Sequence, residues 1–125
     1  MIFGIGIDLI EVARIAKQID SQTRFKTKIF SKKEIEYCES FKVNRAQHYA
    51  ARYAAKEAFF KALGTGYRGG RTFAEISVEN DDLGKPSVIL SGNIRALAES
   101  QGFANIRVSL SHIKEYACAI VIIET

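Results

Sequence analysis

Arg45-Ala46-Gln47-His48-Tyr49-Ala50-Ala51-Arg52-Tyr53-Ala54-Ala55-Lys56-Glu57-Ala58-Phe59-Phe60-Lys61-Ala62-Leu63 is the stretch that decides the fold. Its nineteen residues hold seven alanines and neither Gly nor Pro, and Gly64 follows at once. Alanine is the best helix former and a glycine just past the end is a common stop, so the stretch predicts one long helix. At 100° per residue, Tyr49, Tyr53, Phe59, Phe60 and Leu63 form a bulky apolar face. Arg52 and Lys56 fall within that face, where cationic stems can snorkel over the rings. Glu57 and Lys61 stand one turn apart on another stripe, among Ala46, Ala50, Ala54 and Ala58. Two readings are open for that pair. It is an exposed i, i+4 ion pair adding about 0.2–0.5 kcal/mol, or the alanines around it let another element or a ligand come close.

Working outward, Ile2 to Leu9 reads as a buried strand, apolar except for its glycines and Asp8. A short helix follows, with Glu11, Arg14, Lys17 and Gln18 outward. A second begins near Ser31, where Ser31-Lys32-Lys33-Glu34 has the capping-box pattern, and ends near Phe41. Beyond the long helix, strands are expected at Glu75 to Glu79 and Pro86 to Leu90, joined around Asn80-Asp81-Asp82-Leu83-Gly84. A helix from Asn93 to Gln101 and strands at Ile106 to Ile113 and Tyr116 to Ile123 complete the chain. The order β-α-α-α-β-β-α-β-β predicts an α+β fold, a mostly antiparallel sheet packed against helices.

The 125 residues carry no repeat or linker, which predicts a single domain over 1–125. About two-thirds of the unfolded surface could be buried in a chain this long, enough for a core without staples. With 47% hydrophobic and 26% charged residues, disorder is excluded. No apolar run approaches the ~20 residues of a membrane span. Cys38 and Cys118 lie far apart and the chain opens on no basic, cleavable segment, so a reduced cytoplasmic protein is expected. His48 and His112 are too isolated for a zinc cage. The net charge of +4 favours an acidic partner, phosphate-bearing or protein.

Asp8 is costly to bury on an apolar strand unless something satisfies it. It is either the N-cap of the next helix, in Asp8-Leu9-Ile10-Glu11, or a metal-binding or catalytic group. Gly64-Thr65-Gly66-Tyr67-Arg68-Gly69 matches the spacing of a dinucleotide fingerprint, but it follows a helix C-terminus, whose dipole repels phosphate. Phosphate binding there would need loop amides or the cations Lys61, Arg68 and Arg71. His112 closes a strand and shares a face with Val108 and Leu110, which also suits a core or edge residue. Ser109 and Ser111 sit in that strand with no nucleophile elbow.

Three ordered segments nevertheless resemble one family: Gly4-Ile5-Gly6-Ile7-Asp8, Arg52-Tyr53-Ala54-Ala55-Lys56-Glu57-Ala58-Phe59-Phe60-Lys61-Ala62-Leu63-Gly64-Thr65-Gly66, and Ser109-Leu110-Ser111-His112. With the Gly84-Lys85-Pro86 turn, they are similar to the holo-acyl-carrier-protein synthases, the small trimeric 4′-phosphopantetheinyl transferases. The resemblance implies the fold of those enzymes and transfer of 4′-phosphopantetheine from coenzyme A to a serine of apo-acyl carrier protein, in the service of fatty acid synthesis. It implies Asp8 and Glu57 as ligands of Mg²⁺ (or Mn²⁺), a hard cation suited to one or two carboxylates and phosphate oxygens. Lys61 and Glu57 would be the catalytic groups, and Arg52, Gly64, Thr65, Gly66 and His112 the coenzyme A contacts. The site would be assembled from neighbouring subunits of a homotrimer. Arg14, Gln22 and Arg24, with Lys17 beside them, would meet the acidic carrier protein, and Lys42 and Arg45 are candidates for the ribose 3′-phosphate. The competing readings are a small basic nucleic-acid module, disfavoured because the last strands offer Ala, Ile and Val rather than stacking aromatics, and a coenzyme A or carrier-protein binder without catalysis.

Overall fold

A computed structural model of the chain describes residues 1–65 and 72–125. Among these the order is β1 (Ile2–Glu11), α1 (Val12–Ser21), α2 (Thr23–Ile29), α3 (Lys32–Glu39), α4 (Arg45–Leu63), a 3₁₀ turn (Phe73–Glu75), β2 (Ile76–Asn80), β3 (Pro86–Leu90), α5 (Gly92–Ser100), β4 (Asn105–His112) and β5 (Tyr116–Glu124). The α+β architecture matches the expectation, with the strands divided between two antiparallel sheets, β1-β5-β4 and β2-β3.

The long helix has the expected bounds. Gly64 terminates it in the left-handed conformation (φ +85°), with its N–H donating to Phe60 O at 3.0 Å. Instead of one apolar stripe, α4 is buried on most of its circumference, because β1, β5 and the shorter helices surround it. Its alanines admit β1: a Cβ built on Gly6 would lie 1.8 Å from Ala58 O, and one on Gly4 1.9 Å from Ala62 O. Small residues on both sides let the strand backbone rest on the helix.

Four expectations need correction. β1 is not buried throughout: Phe3, Ile5, Ile7 and Leu9 are exposed on the face turned away from α4. Asp8 is not a helix cap: β1 runs on to Glu11, Asp8 pairs with Ala119 of β5, and α1 starts at Val12. A helix the sequence reading did not assign, α2, fills 23–29, its Phe25 and Ile29 one turn apart against the core. Arg52 and Lys56 do not snorkel to water. Lys56 is fully buried, its Nζ 2.7 Å from Glu34 Oε1, 3.0 Å from Phe73 O and bonded to Ile76 O, and it lies against the Phe30 ring. Burial works to lower the Lys56 ammonium below its ordinary range, and the Glu34 carboxylate opposes that. Glu34 forms the expected capping box with Ser31 and also accepts from Val78 N at 2.8 Å. One carboxylate therefore ties together α3, α4 and β2.

A second ionic cluster joins α1, α2, α3 and α4. Glu39 Oε2 accepts from Tyr49 Oη at 2.7 Å and from Arg45 Nη1 at 2.8 Å, and Lys26 Nζ lies 3.0 Å away. These donors, Tyr49 first, hold the Glu39 carboxyl down at about 2. A depressed carboxylate stabilises the fold above its unfolded pKa, and that contribution is lost as pH falls through its folded value. Glu39→Gln should therefore be less stable than the parent at neutral pH, the two converging as pH falls from about 4.5 towards 2. Urea unfolding across that window measures it, and a constant gap down to pH 2 would assign the loss to packing.

Candidate active site

Beside the C-terminal half of α4, the predicted catalytic residues come together. Asp8 leaves the helix-facing side of β1 with its side chain 15% exposed, and Lys61 Nζ sits 3.1 Å from its Oδ1 and 3.0 Å from Ile7 O. Lys61 is thus held by Asp8, not as the simple i, i+4 partner of Glu57. Tyr53 donates its hydroxyl to Glu57, and burial, then the Glu57 charge, pushes the phenol above its usual range. Burial likewise raises the Asp8 carboxyl, opposed by the Lys61 hydrogen bond and charge and reinforced by the Glu57 charge; Arg14 also bears on it. Two carboxylates within each other's field, one partly desolvated, with an exposed lysine at their side, make a set able to hold a hard divalent cation against a phosphate. Among the described residues no third His, Cys, Asp or Glu joins them. Gly64 and Thr65 follow Lys61 by three and four residues, just past the end of α4; Gly66, Arg68 and Arg71 lie outside the described residues.

Arg52 and His112 are elsewhere. Nine residues separate Arg52 from Lys61, which places them about 180° apart around the helix and about 14 Å apart along it. Arg52 faces a pocket of about 430 Å³ lined by Tyr37, His48, Asn80, Lys85 and His112 among others. The volume suits a nucleotide-sized ligand. Its guanidinium is 4.2 Å from the Tyr37 ring centroid. His112 Nδ1 is 2.8 Å from Gln47 Oε1. His48 stacks on Phe41 with ring centroids 3.8 Å apart, and burial, then His112, lowers its pKa to about 4, so it is neutral at pH 7. His48, Asn80 and Lys85 were missed as site residues; the Gly84-Lys85-Pro86 turn was the available signal. Arg45 is engaged by Asp20 and Glu39, and Lys42 lines a small cavity beside Asp20. Neither lines the larger pocket, whose cations are Arg52 and Lys85.

Arg14, Lys17, Gln22 and Arg24 are all exposed along α1, the α1–α2 junction and α2. Since Arg14 acts on Asp8 and Tyr53 electrostatically, this basic surface adjoins the carboxylate pair.

Residues 4–121 match the model of the 4′-phosphopantetheinyl transferase superfamily. The chain belongs to that superfamily. Within it, this phosphopantetheinyl transferase groups with the holo-[acyl-carrier-protein] synthases. It is 46% identical to that of Clostridium acetobutylicum over 99% of this chain and 98% of the relative. It is 50% identical to that of Ruminiclostridium cellulolyticum over 95% and 90%. Among solved structures, the synthase from Neisseria meningitidis covers 100% of both chains at TM-score 0.89 and 32% identity. The synthase from Bacillus anthracis, a complex with CoA (3′,5′-ADP), covers 100% of this chain and 98% of its own at TM-score 0.82 and 39% identity. The transferase fold and enzyme class expected from the three motifs are both met.

Proposed function

We propose that this phosphopantetheinyl transferase moves 4′-phosphopantetheine from coenzyme A to a serine of an apo-acyl carrier protein, with Mg²⁺ held by Asp8 and Glu57. The observation that carries the reading is the Asp8–Lys61–Glu57 cluster beside an exposed basic helix surface, in a chain whose relatives are holo-[acyl-carrier-protein] synthases. When bound, the ion neutralises the coenzyme A pyrophosphate and polarises the attacked phosphorus. Glu57 takes the proton from the carrier serine, directly or through a water, as that oxygen forms its bond to phosphorus. Lys61 meets the negative charge on the departing phosphate as the pyrophosphate P–O bond breaks and adenosine 3′,5′-bisphosphate leaves. Arg14, Gln22 and Arg24 receive the acidic carrier and hold its serine at the cluster. Such charge complementarity raises the rate of encounter, and salt weakens it. Fatty acid synthesis in the cytoplasm is the setting this chemistry serves.

The complete site needs two copies of the chain. Arg52 and His112 lie on the far side of α4 from Lys61, so one chain cannot wrap both groups around one coenzyme A molecule. The occupant of the missing position is argued by an uncovered sheet face. Phe3, Ile5, Ile7 and Leu9 of β1, with Ile120 of β5, are large apolar side chains left exposed, Ile7 and Leu9 at 63% and 67%. Ile5 pairs with Ile122, and Ile7 with Ile120, so they form one continuous patch. Such a patch marks an interface, and we assign it to the homotrimer. Ile7→Glu should convert a trimer to a monomer in sedimentation analysis and remove activity with it. A parent chain that sediments as a monomer at assay concentration would overturn the assignment.

The function is tested by mass spectrometry of apo-acyl carrier protein incubated with this enzyme, coenzyme A and Mg²⁺. A phosphopantetheine adduct that requires the metal is expected. No adduct with any divalent ion would overturn the catalytic reading in favour of a binding module.

A further inference from the structure

Asn80 ends β2 where the hairpin turns, and its side-chain amide works in two directions. Oδ1 accepts from Arg52 Nη2, while Nδ2 donates to Gly84 O at 2.9 Å. A guanidinium only donates and a carbonyl only accepts, so the side chain between them must offer one of each. The shape of the turn is set separately. Asp81 Oδ1 accepts from Leu83 N and Lys85 N, both at 2.9 Å, and Gly84 supplies the positive φ of +86°. What Asn80 adds is the position of that turn relative to α4.

Arg52 is 2% exposed, yet its Nε has no hydrogen-bond partner among the described residues. Leaving a buried donor unpaired is unfavourable, and more so on a charged group. Its Nη1 reaches His48 O at a long 3.4 Å and its plane lies against Tyr37. Asn80 is therefore its main polar anchor, and the pocket it lines has Lys85 on the hairpin wall.

We propose that Asn80 is a positioning residue of the coenzyme A pocket, coupling Arg52 to the Gly84–Pro86 turn so that the Arg52 and Lys85 cations meet the same phosphorylated nucleotide. The proposal rests on reading this pocket as the nucleotide site. Asn80 acts through its neighbours: without it, Arg52 relaxes towards other acceptors and the turn carries Lys85 away from the anion.

The test is calorimetric binding of adenosine 3′,5′-bisphosphate to the full chain, with Asn80→Ala and Asn80→Ser. Both variants are neutral, and the serine hydroxyl is too short to span Arg52 and Gly84 together. Each should raise Kd about tenfold and raise KM for coenzyme A in parallel, leaving KM for carrier protein unchanged. The effect of Lys85→Met should shrink in the Asn80→Ala background, because Asn80 acts partly by placing Lys85. If the parent binds the nucleotide and both variants bind within twofold of it, the role of Asn80 is overturned while the pocket stands. If both KM values rise together, Asn80 is only structural. A parent that does not bind the nucleotide removes the pocket reading and this proposal with it.

Discussion

Glu57→Gln should lower turnover by about 10³-fold, within the range lost with a general base and compounded by the loss of a metal ligand. The amide has the shape of the carboxylate and keeps an oxygen to accept from Tyr53, so the helix and its packing survive. What goes is the negative charge and the proton acceptor. Asp8→Asn should act in the same direction and also raise the Mg²⁺ concentration needed for half-maximal rate. Its folding cost is small, because the ion pair it breaks involves a lysine that is 55% exposed, and pairs with exposed partners contribute about 0–1 kcal/mol. The measurement is the rate of adduct formation at saturating substrates across a Mg²⁺ series, with thermal melts as control. A variant of either residue within tenfold of the parent rate, at unchanged metal dependence, would remove it from the metal site.

Lys56→Met should be the most damaging of the stability changes. It leaves Glu34 as a fully buried carboxylate facing an apolar side chain, and removing one partner of a buried pair costs about 3–5 kcal/mol. For a chain of this size that corresponds to a fall in Tm of roughly 10–20 °C. Adding Glu34→Leu should restore part of the loss by removing the stranded charge. It cannot restore all of it, since Ser31 N and Val78 N would lose their acceptor and Phe73 O and Ile76 O their donor. A double variant as stable as the parent would show that those four backbone groups find other partners. A single variant within 1 kcal/mol of the parent would show that the stranded Glu34 side chain is tolerated and the buried pair dispensable.

Much of the candidate site was legible because it is local. Glu57 and Lys61 are one helical turn apart, and Asp8 announces itself as a carboxylate on an apolar strand. Their meeting was implied by resemblance, and the structure supplies its cause: Gly4 and Gly6 bring β1 onto the alanines of α4. Asn80 and His48 were not legible, because an asparagine at a hairpin and a histidine on a helix are ordinary in sequence. Their significance comes from the pocket that gathers them. Helix α2 was missed for a related reason. Seven residues give too short a window for periodicity to stand out, and tertiary contact of Phe25 and Ile29 supports what propensity alone does not.

By itself the sequence determined the α4 helix, its glycine stop, the Ser31–Glu34 cap, the α+β class and the family. Each is written in residue spacings of four or fewer, or in ordered motifs. Only the tertiary structure decided that Lys56 is buried against Glu34, that Arg52 meets a pocket while Lys61 meets Asp8, and that β1 leaves an apolar face uncovered. Those outcomes depend on which elements close around α4. A helix pattern specifies the direction of each side chain from its own axis, but what each one meets is set by long-range packing.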